Sequence, residues 1–307
     1  ALVVPTLLAA TARSFSGLLL WRFLQGLALP FIFAVTVAYI GEECPGAAGI
    51  RTTGHYAIGT ILGGFSGRFL AGIVTQFAGW RAAFVLLGGL TAIGAVLVAA
   101  WLPPERRFRP VADWRGTLGG FGVNLTDARL IAAYVTGFGV LFSMIAAFTY
   151  ANFYLAAPPF RLGPAALGSV FVVYLLGAIA TPLSSRMAMR MGRRRALICS
   201  IPVALAGCAV ALLPSLAAAI AGLGLIAAAV FVEQTYSIGF VGAAARRARS
   251  TAVGLYVTCY YVGGSLGGVV PGGLWHRFGW PGCVALVAVV QAAMLVIALR
   301  FWRDEPA

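Results

Sequence analysis

Three charged side chains lie inside long apolar stretches of this sequence. Arg22 stands within LLLWRFLQGLALPFIFAV, Arg68 follows GGFSG, and Glu233 is the single carboxylate within any apolar stretch. A charge at membrane depth costs about 2.5–3.5 kcal/mol on insertion scales, so such a group needs a partner or a wet cavity. The chemistry open to them is proton transfer at Glu233 and the binding of an anionic or polar group by the planar guanidinium of Arg68.

Each of these charges also has a plainer interpretation. Arg22 could bond to the carbonyl groups of a neighbouring helix, and Arg68 could belong to an ion pair or a hydrogen-bonded network. Glu233 could stay ionised beside an arginine. The polar run that it opens, which includes Gln234 and Tyr236, could instead cap the hydrated end of its segment. The residue types leave these alternatives open.

The segments that carry these residues are predicted to be membrane-spanning helices. Hydrophobic residues make up 61% of the 307 residues, charged residues 10%, and mean hydropathy is +0.94. About 20 apolar residues let a helix cross roughly 30 Å of hydrocarbon. The predicted spans are 15–39, 54–77, 82–101, 130–155, 166–184, 196–213, 217–241, 252–275 and 282–300. With a remnant of a tenth at 1–12, the predicted fold is an all-α membrane protein of about nine complete helices.

A repeat with an offset of 200 residues relates two parts of the chain. Residues 63–80 (GGFSGRFLAGIVTQFAGW) and 263–280 (GGSLGGVVPGGLWHRFGW) share glycines and a final tryptophan, and Tyr56 matches Tyr256. Such a repeat in so apolar a chain predicts two copies of one helical bundle around a central cavity. The two repeated tyrosines are candidates to line that cavity. The other predicted lining residues are Gln25, Arg68, Tyr150, Asn152, Gln234 and Tyr236.

Small residues recur every four positions in both copies of the repeat. They are Gly59, Gly63 and Gly67 in the first copy and Gly264, Gly268 and Gly272 in the second. A face of small residues lets two helix backbones approach closely. The face could serve static packing, or it could be a sliding surface between rocking halves, and both roles can hold at once.

The number of spans in each copy predicts an incomplete first half. Four predicted spans precede the glycine-rich span of the second copy, whereas one span and the remnant at 1–12 precede that of the first. We therefore expect residues 1–101 to form an incomplete N-terminal bundle and 130–307 a six-helix bundle. Residues 102–129, rich in proline, glycine and charge, are expected to be the linker. The chain is expected to be truncated at its N-terminus.

The basic residues are distributed unevenly along the predicted topology. All 22 are arginine, and the net charge is +14. Alternate threading of the spans places sixteen on one side and two within spans; the four on the other side are Arg13, Arg81, Arg161 and Arg277. Because basic short loops remain cytoplasmic, this bias predicts a cytoplasmic linker and C-terminus. Membrane topology thus explains the charge, and nucleic-acid binding is not expected.

Several short motifs together resemble the major facilitator superfamily. They are Arg22-Phe-Leu-Gln25-Gly26, Gly79-Trp80-Arg81, Leu102-Pro103-Pro104-Glu105 and Gly192-Arg193-Arg194-Arg195. With residues 63–68 (GGFSGR), the set most resembles the YnfM-like bacterial branch, grouped with proton-coupled drug and sugar efflux carriers. The resemblance implies a bacterial inner-membrane protein with two pseudo-symmetric bundles. It also implies proton coupling through Arg22 and a helix-packing or gating role for Gly192, Arg193 and Arg194.

The sequence therefore predicts a secondary transporter that exports a small solute in exchange for protons by alternating access. Without lysine the chain cannot contain the GxxxxGK[ST] phosphate loop of an ATPase. The cysteines and histidines lack metal-ligand spacing, and no paired catalytic groups are found at membrane depth, so we expect no enzyme, metal or cofactor. The expected partners are the solute, protons and the lipid bilayer, with the protein acting as a monomer. The alternative is a truncated product that inserts without transporting.

Overall fold

A computed structural model describes residues 1–44, 47–105, 114–245 and 248–302. Over these residues the chain forms α-helices and one 3-10 segment, Phe171–Val173, without any strand. The α-helices are α1 Val3–Ala10, α2 Phe15–Glu43, α3 Ala47–Trp101, α4 Trp114–Thr126, α5 Ala128–Ala156, α6 Pro164–Val170, α7 Tyr174–Met191, α8 Arg193–Ala211, α9 Leu216–Ala244, α10 Arg249–Val269 and α11 Pro271–Phe301. The predicted all-α fold class is confirmed.

Within the described residues, seven helical stretches are long and apolar enough to cross a membrane. They are Phe15–Thr36, Arg51–Trp101, Ala128–Ala156, Pro164–Leu183, Arg193–Ala211, Leu216–Gly242 and Pro271–Phe301. The predicted span 252–275 falls across α10 and α11, because Pro271 begins a new helix while Val270 keeps helical dihedral angles of −59° and −41°. The total number of membrane crossings stays a prediction.

The distribution of polar and apolar side chains is typical of a protein surrounded by lipid. Phe15 is 74% exposed, Phe77 85% and Trp101 78%. Large apolar side chains exposed in this number would form an aggregating surface in water. Buried polar side chains are Thr6, Gln25, Asn124, Thr136, Ser143, Ser200, Glu233, Ser237 and Gln291. The helices therefore present apolar side chains outward and keep selected polar groups inside.

The chain divides into two compact units. The first comprises Ala1–Pro110 and Leu162–Val172, and the second Val111–Arg161 and Val173–Ala307. The first unit contains α1, α2, α3 and α6, and the second contains α4, α5 and α7 to α11. The predicted linker 102–129 includes helix α4, which was not expected from the sequence, while residues 106–113 of the linker lie outside the described part. The predicted bundle limits stay a prediction.

Two glycines redirect the longest helical runs. Gly79 has φ 80° and ψ 167° within α3, and Gly279 has φ 62° and ψ −148° within α11. These angles fall in a region that is almost exclusive to glycine, because a Cβ atom would clash there. Each glycine therefore turns one helical segment into the next without a loop, so that the α3 run contains both predicted spans 54–77 and 82–101.

Hydroxyl and carboxylate side chains define the starts of three spans. The Ser14 hydroxyl accepts a hydrogen bond from the backbone N–H of Gly17 at 3.1 Å, and Ser215 does the same for Ala218 at 3.1 Å. Asp127 accepts from the Arg129 backbone N–H at 2.9 Å. These contacts satisfy N–H groups that have no partner within the helix and fix where α2, α9 and α5 begin.

Candidate transport-site residues

Arg22 belongs to a polar chain that joins α2 to α1 in the first unit. Its Nη1 donates to Gln25 Oε1 at 2.8 Å, and Gln25 Nε2 donates to the Thr6 hydroxyl at 2.8 Å. The Thr6 hydroxyl then donates to the Leu2 carbonyl oxygen at 2.6 Å. Gln25 and Thr6 are buried, whereas Arg22 is exposed. Because residues three apart lie on one helix face, Gln25 holds the guanidinium of Arg22 in place.

Arg68 brings a second guanidinium into the same unit. Its Nη1 donates to the Gly64 carbonyl oxygen at 3.0 Å, and its guanidinium carbon lies 5.0 Å from the centre of the Phe171 ring. Arg22 and Arg68 are close enough for their positive charges to repel each other. The guanidinium of Arg22 in turn lies 6.0 Å from the centre of the Phe84 ring. Two cations flanked by aromatic rings favour the approach of an anionic or electron-rich group.

Gly72 marks a close backbone contact in this unit, between α3 and α6. A Cβ atom on Gly72 would lie 2.5 Å from the Pro164 carbonyl oxygen, and one on Gly168 would lie 2.8 Å from the Arg68 carbonyl oxygen. Among the described residues, no such neighbour lies within 4 Å at Gly63 or Gly67. The packing role of that pair stays a prediction.

Tyr56 lies on the same helix, about three turns before Arg68. Its side chain is half-buried, and its ring centre lies 6.1 Å from that of Phe33 on α2. It therefore packs at the contact between α2 and α3. That Tyr56 lines a solute cavity stays a prediction.

Glu233 lies on α9 in the second unit and is completely buried. Gln291 on α11, also completely buried, donates from Nε2 to Glu233 Oε2 at 3.2 Å. Of the polar residues that follow Glu233, Tyr236 is buried and Gln234 is half-buried. Gln291 was not identified from the sequence, although it is a conspicuous polar residue within the apolar run GCVALVAVVQAAMLVIAL.

The remaining predicted lining residues of the second unit lie between α5 and the helices around it. The Tyr150 hydroxyl donates a hydrogen bond to the Gly268 carbonyl oxygen at 3.0 Å. The hydroxyl hydrogen is therefore engaged within the protein. Tyr256 is buried, and its ring lies where a Cβ atom on Gly137 would be. Asn152 is half-buried. The structure thus gives both tyrosines packing contacts, and their exposure to solute stays a prediction.

Glycines of α10 allow it to approach the backbone of α5. A Cβ atom on Gly263 would collide with the Phe138 carbonyl, and one on Gly267 would lie 2.6 Å from the Phe142 carbonyl oxygen. Gly268, by contrast, would place a Cβ at an ordinary 3.7 Å from Ile145. The closest backbone contact therefore involves positions one residue earlier than the predicted pair Gly264 and Gly268. At Gly264 a Cβ would meet the Leu141 side chain, 2.6 Å away.

The Gly192-Arg193-Arg194 motif connects three helix ends of the second unit. Gly192 has φ 84° and ψ 154° and separates α7 from α8. Arg193 Nη1 donates to the Gly239 carbonyl oxygen on α9 at 3.1 Å, and Arg194 Nη2 donates to the Leu299 carbonyl oxygen on α11 at 2.8 Å. Carbonyl groups near a helix C-terminus carry partial negative charge and attract cations. The motif therefore ties the start of α8 to the ends of α9 and α11.

No group of three or more histidine, cysteine, aspartate or glutamate side chains in the described part of the chain could hold a metal ion. The polar residues instead form the Arg22 chain with nearby Arg68 in the first unit and the Glu233–Gln291 contact in the second. Thr6 and Phe171 were missed from the sequence because each gains its role through contact with a residue distant in the chain. A threonine or a phenylalanine in the sequence does not by itself indicate such a distant contact.

Apolar outward faces and charged groups within long apolar helices are typical of a multi-pass membrane protein. A family model described as the Major Facilitator Superfamily matches residues 1–232 and 137–307. The MFS-type transporter YybF of Bacillus subtilis is 32% identical, with 96% of this chain and 72% of that protein covered. The inner membrane transport protein YnfM of Escherichia coli is also 32% identical, over 98% of this chain and 72% of that protein. The chain belongs to the Major Facilitator Superfamily.

A solved structure supports the same fold. The Escherichia coli fucose:proton symporter FucP superposes with a TM-score of 0.66, over 99% of this chain and 83% of that chain. Its sequence identity is 12%. At that identity the likeness shows a common arrangement of helices.

Proposed function

We propose that this protein exports a small solute across the bacterial inner membrane in exchange for protons, by alternating access. The observation that carries the proposal is the Arg22–Gln25–Thr6 chain, which holds an exposed guanidinium within an apolar helix. Holding a charge there is costly unless it serves a hydrated path. The similar proteins are named as transporters, and FucP is named as a proton symporter. An ion gradient is the simplest energy source for a chain that lacks an ATPase loop.

The charge of the first unit favours a solute with an anionic or strongly polar group. The sequence has no acidic residue between Ala1 and Gly41 or between Cys44 and Pro104. Arg22 and Arg68 are near enough to repel each other. A solute oxygen between them would relieve that repulsion and accept hydrogen bonds from either guanidinium. We therefore assign Arg68 to solute binding, and Arg22 to the coupling of binding with proton movement.

The second unit supplies the proposed proton carrier, Glu233. It is the one carboxylate that the sequence places within an apolar helix, and the structure buries it completely. The arginine bias of the predicted loops supports a cytoplasmic C-terminus in this proposal. Since the two repeats between which alternating access takes place lie in one chain, we propose a monomer.

The proposal is tested in proteoliposomes that contain the pH dye pyranine and carry an imposed pH gradient. A panel of sugars, cationic dyes and organic carboxylates is added, and solute-dependent proton flux is recorded. Wild type should respond to at least one compound, and Arg22→Gln and Glu233→Gln should reduce that response to background. Arg13→Gln, which alters an exposed arginine outside the spans, is the matched control.

Arg68→Gln separates solute binding from coupling. The Arg68→Gln variant should raise the solute concentration needed for half-maximal flux. The increase should be largest for the carboxylates, because these solutes need a cation to bind them, and smallest for neutral sugars. Full proton-coupled flux in Arg22→Gln would remove that residue from the mechanism. An equal effect of Arg68→Gln on charged and neutral compounds would remove the anionic preference.

A further inference from the structure

Glu233 and Gln291 form an isolated polar contact between two helices. The residues lie on α9 and α11, 58 positions apart, and neither side chain is exposed. Their hydrogen bond, from Gln291 Nε2 to Glu233 Oε2, is 3.2 Å long. Glu233 is eight residues from the end of its predicted span at 241, which is about 12 Å along a helix. The pair is therefore well separated from the hydrated end of α9.

Two of the four polar side-chain atoms of this pair take no part in the Glu233–Gln291 hydrogen bond. Among the described residues, neither Glu233 Oε1 nor Gln291 Oε1 has a hydrogen-bond partner, although both atoms are buried. An ionised carboxylate accepts hydrogen bonds and donates none, and the amide oxygen likewise only accepts. If Glu233 were ionised, both Oε1 atoms would need a donor that the pair cannot supply. Leaving a buried polar atom unsatisfied is destabilising, and more so when the atom is charged.

The surroundings of Glu233 do not supply a balancing cation. Within the described part of the chain, its interacting groups are the Gln291 amide and the Cys208 thiol of α8. The Ser237 hydroxyl donates to the Glu233 backbone carbonyl oxygen at 2.8 Å and so does not reach the carboxyl group. No arginine among the described residues contributes to its electrostatics. A buried carboxylate without a cation is much less stable than a buried ion pair or a neutral acid.

We propose that Glu233 binds a proton on Oε1 and donates it to Gln291 Oε1, so that the two side chains form a reciprocal acid–amide pair. The carboxylate takes one proton from water and becomes a carboxylic acid, and no other bond changes. Both orphaned oxygens then acquire partners, and α9 is joined to α11 by two hydrogen bonds. Gln291 is thus the positioning residue of a proton-binding site.

Release of this proton is tied to a change in structure. Deprotonation would remove one of the two hydrogen bonds and leave a charge in a dry position. The site can therefore empty only when water or a cation gains access, which requires the helices around the pair to open locally. The identification of this bound proton with the transported proton rests on the proposed function. The existence of the protonated pair does not depend on the proposed function.

Infrared spectroscopy of the purified protein in lipid nanodiscs tests the protonation directly. Wild type at neutral pH should show a carboxylic C=O band above the amide absorption, which Glu233→Gln abolishes. Gln291→Leu removes the donor to the carbonyl oxygen, so the band should persist at a higher frequency. Cys208→Ala, which changes the neighbouring thiol, should leave the band in place. A wild-type spectrum without any band that Glu233→Gln removes would overturn the proposal.

A swapped double variant provides a second measurement. Glu233→Gln with Gln291→Glu preserves one acid and one amide, and its carboxylic band should reappear. Its melting temperature should stay close to wild type, while Gln291→Leu should lower it by several degrees because it leaves the acid without a partner. If the double variant shows no carboxylic band, the reciprocal pair is refuted.

Transport distinguishes the inference from the proposed function. A carboxylic band together with unchanged proton-coupled flux in Glu233→Gln would support the acid–amide pair and refute coupling through Glu233. The absence of the band with loss of flux in the same variant would refute the pair and support a coupling role for an ionised Glu233. The two claims therefore fail on different readouts.

Discussion

Gly79 and Gly279 lie 200 residues apart, and each turns a helix with a positive φ angle, 80° and 62° respectively. Each is followed by a tryptophan, but the two tryptophans lie in different surroundings. Trp80 is 37% exposed, with the Arg81 guanidinium carbon 4.3 Å from its ring centre. Trp280 is 3% exposed and donates from its indole nitrogen to the Ala211 carbonyl oxygen at 2.8 Å. The repeat thus conserves the backbone turn, while side-chain packing differs.

Replacement of either turning glycine by alanine should destabilise the protein. No neighbouring atom lies within 4 Å of the added Cβ at Gly79 or Gly279, so the cost is conformational, about 1–3 kcal/mol. Gly273→Ala is a matched control, because it also meets no atom within 4 Å and lies within helix α11. It should be neutral or stabilising by up to about 1 kcal/mol. Melting temperatures in detergent check this, and equal values for all three variants would contradict it.

The contact between α5 and α10 should discriminate between adjacent glycines. Gly267→Ala would place a methyl group 2.6 Å from the Phe142 carbonyl oxygen, and should cost about 1–3 kcal/mol through overpacking. Gly268→Ala should be tolerated, because its Cβ meets Ile145 at 3.7 Å. Thermal unfolding of both variants in the same detergent provides the comparison. A Gly268→Ala variant less stable than Gly267→Ala would show that the helix faces differ from those described.

Loss of the Arg194 guanidinium should loosen the end of the second unit. Arg194→Gln removes the 2.8 Å hydrogen bond to the Leu299 carbonyl oxygen, and should destabilise by about 1 kcal/mol since the site is half-exposed. Hydrogen exchange should rise at the C-terminal end of α11 in this variant. Arg195→Gln, which alters the exposed neighbouring arginine, is the control. Equal exchange at α11 in the two variants would contradict the tie between α8 and α11.

The cap at the start of α5 should give a measurable dependence on pH. Partial burial opposes ionisation of Asp127, but hydrogen bonds from the Arg129 backbone N–H and guanidinium outweigh it and hold the pKa below its ordinary value. A lowered pKa stabilises the folded state above the ordinary Asp pKa, about 3.9, and this contribution is lost as pH falls through the folded-state value.

Asp127→Asn keeps a capping oxygen but removes the titration. Wild type should be the more stable protein at pH 7 by less than about 1 kcal/mol, because the ion pair is partly exposed to solvent. The difference should shrink as the pH falls below about 3.9. Melting temperatures of the two proteins from pH 7 to pH 3 test this, and a constant difference over that range would exclude Asp127 as its source.

Some of the fold followed from local sequence features. Runs of apolar residues predicted segments that coincide with described helices. The repeated Gly-Trp pairs coincide with the turns at Gly79 and Gly279, although the repeat was interpreted as helix packing. Helix α4 within the predicted linker was missed, because WRGTLGGFGVNLT carries four glycines, which are poor helix formers. The glycine faces were identified, but the one-residue difference between Gly267 and Gly268 depends on the rotation of α10 against α5.

The sequence by itself determined that the chain is helical and spans a membrane, because backbone groups in lipid must be satisfied within each segment and about 20 apolar residues suffice. It also identified Arg22, Arg68 and Glu233 as charges that need an explanation. The tertiary structure decided which groups contact these charged residues and their neighbours. Thr6 meets Gln25 from 19 residues away, and Gln291 meets Glu233 from 58. Such pairings depend on how distant helices pack and rotate, which no local pattern encodes.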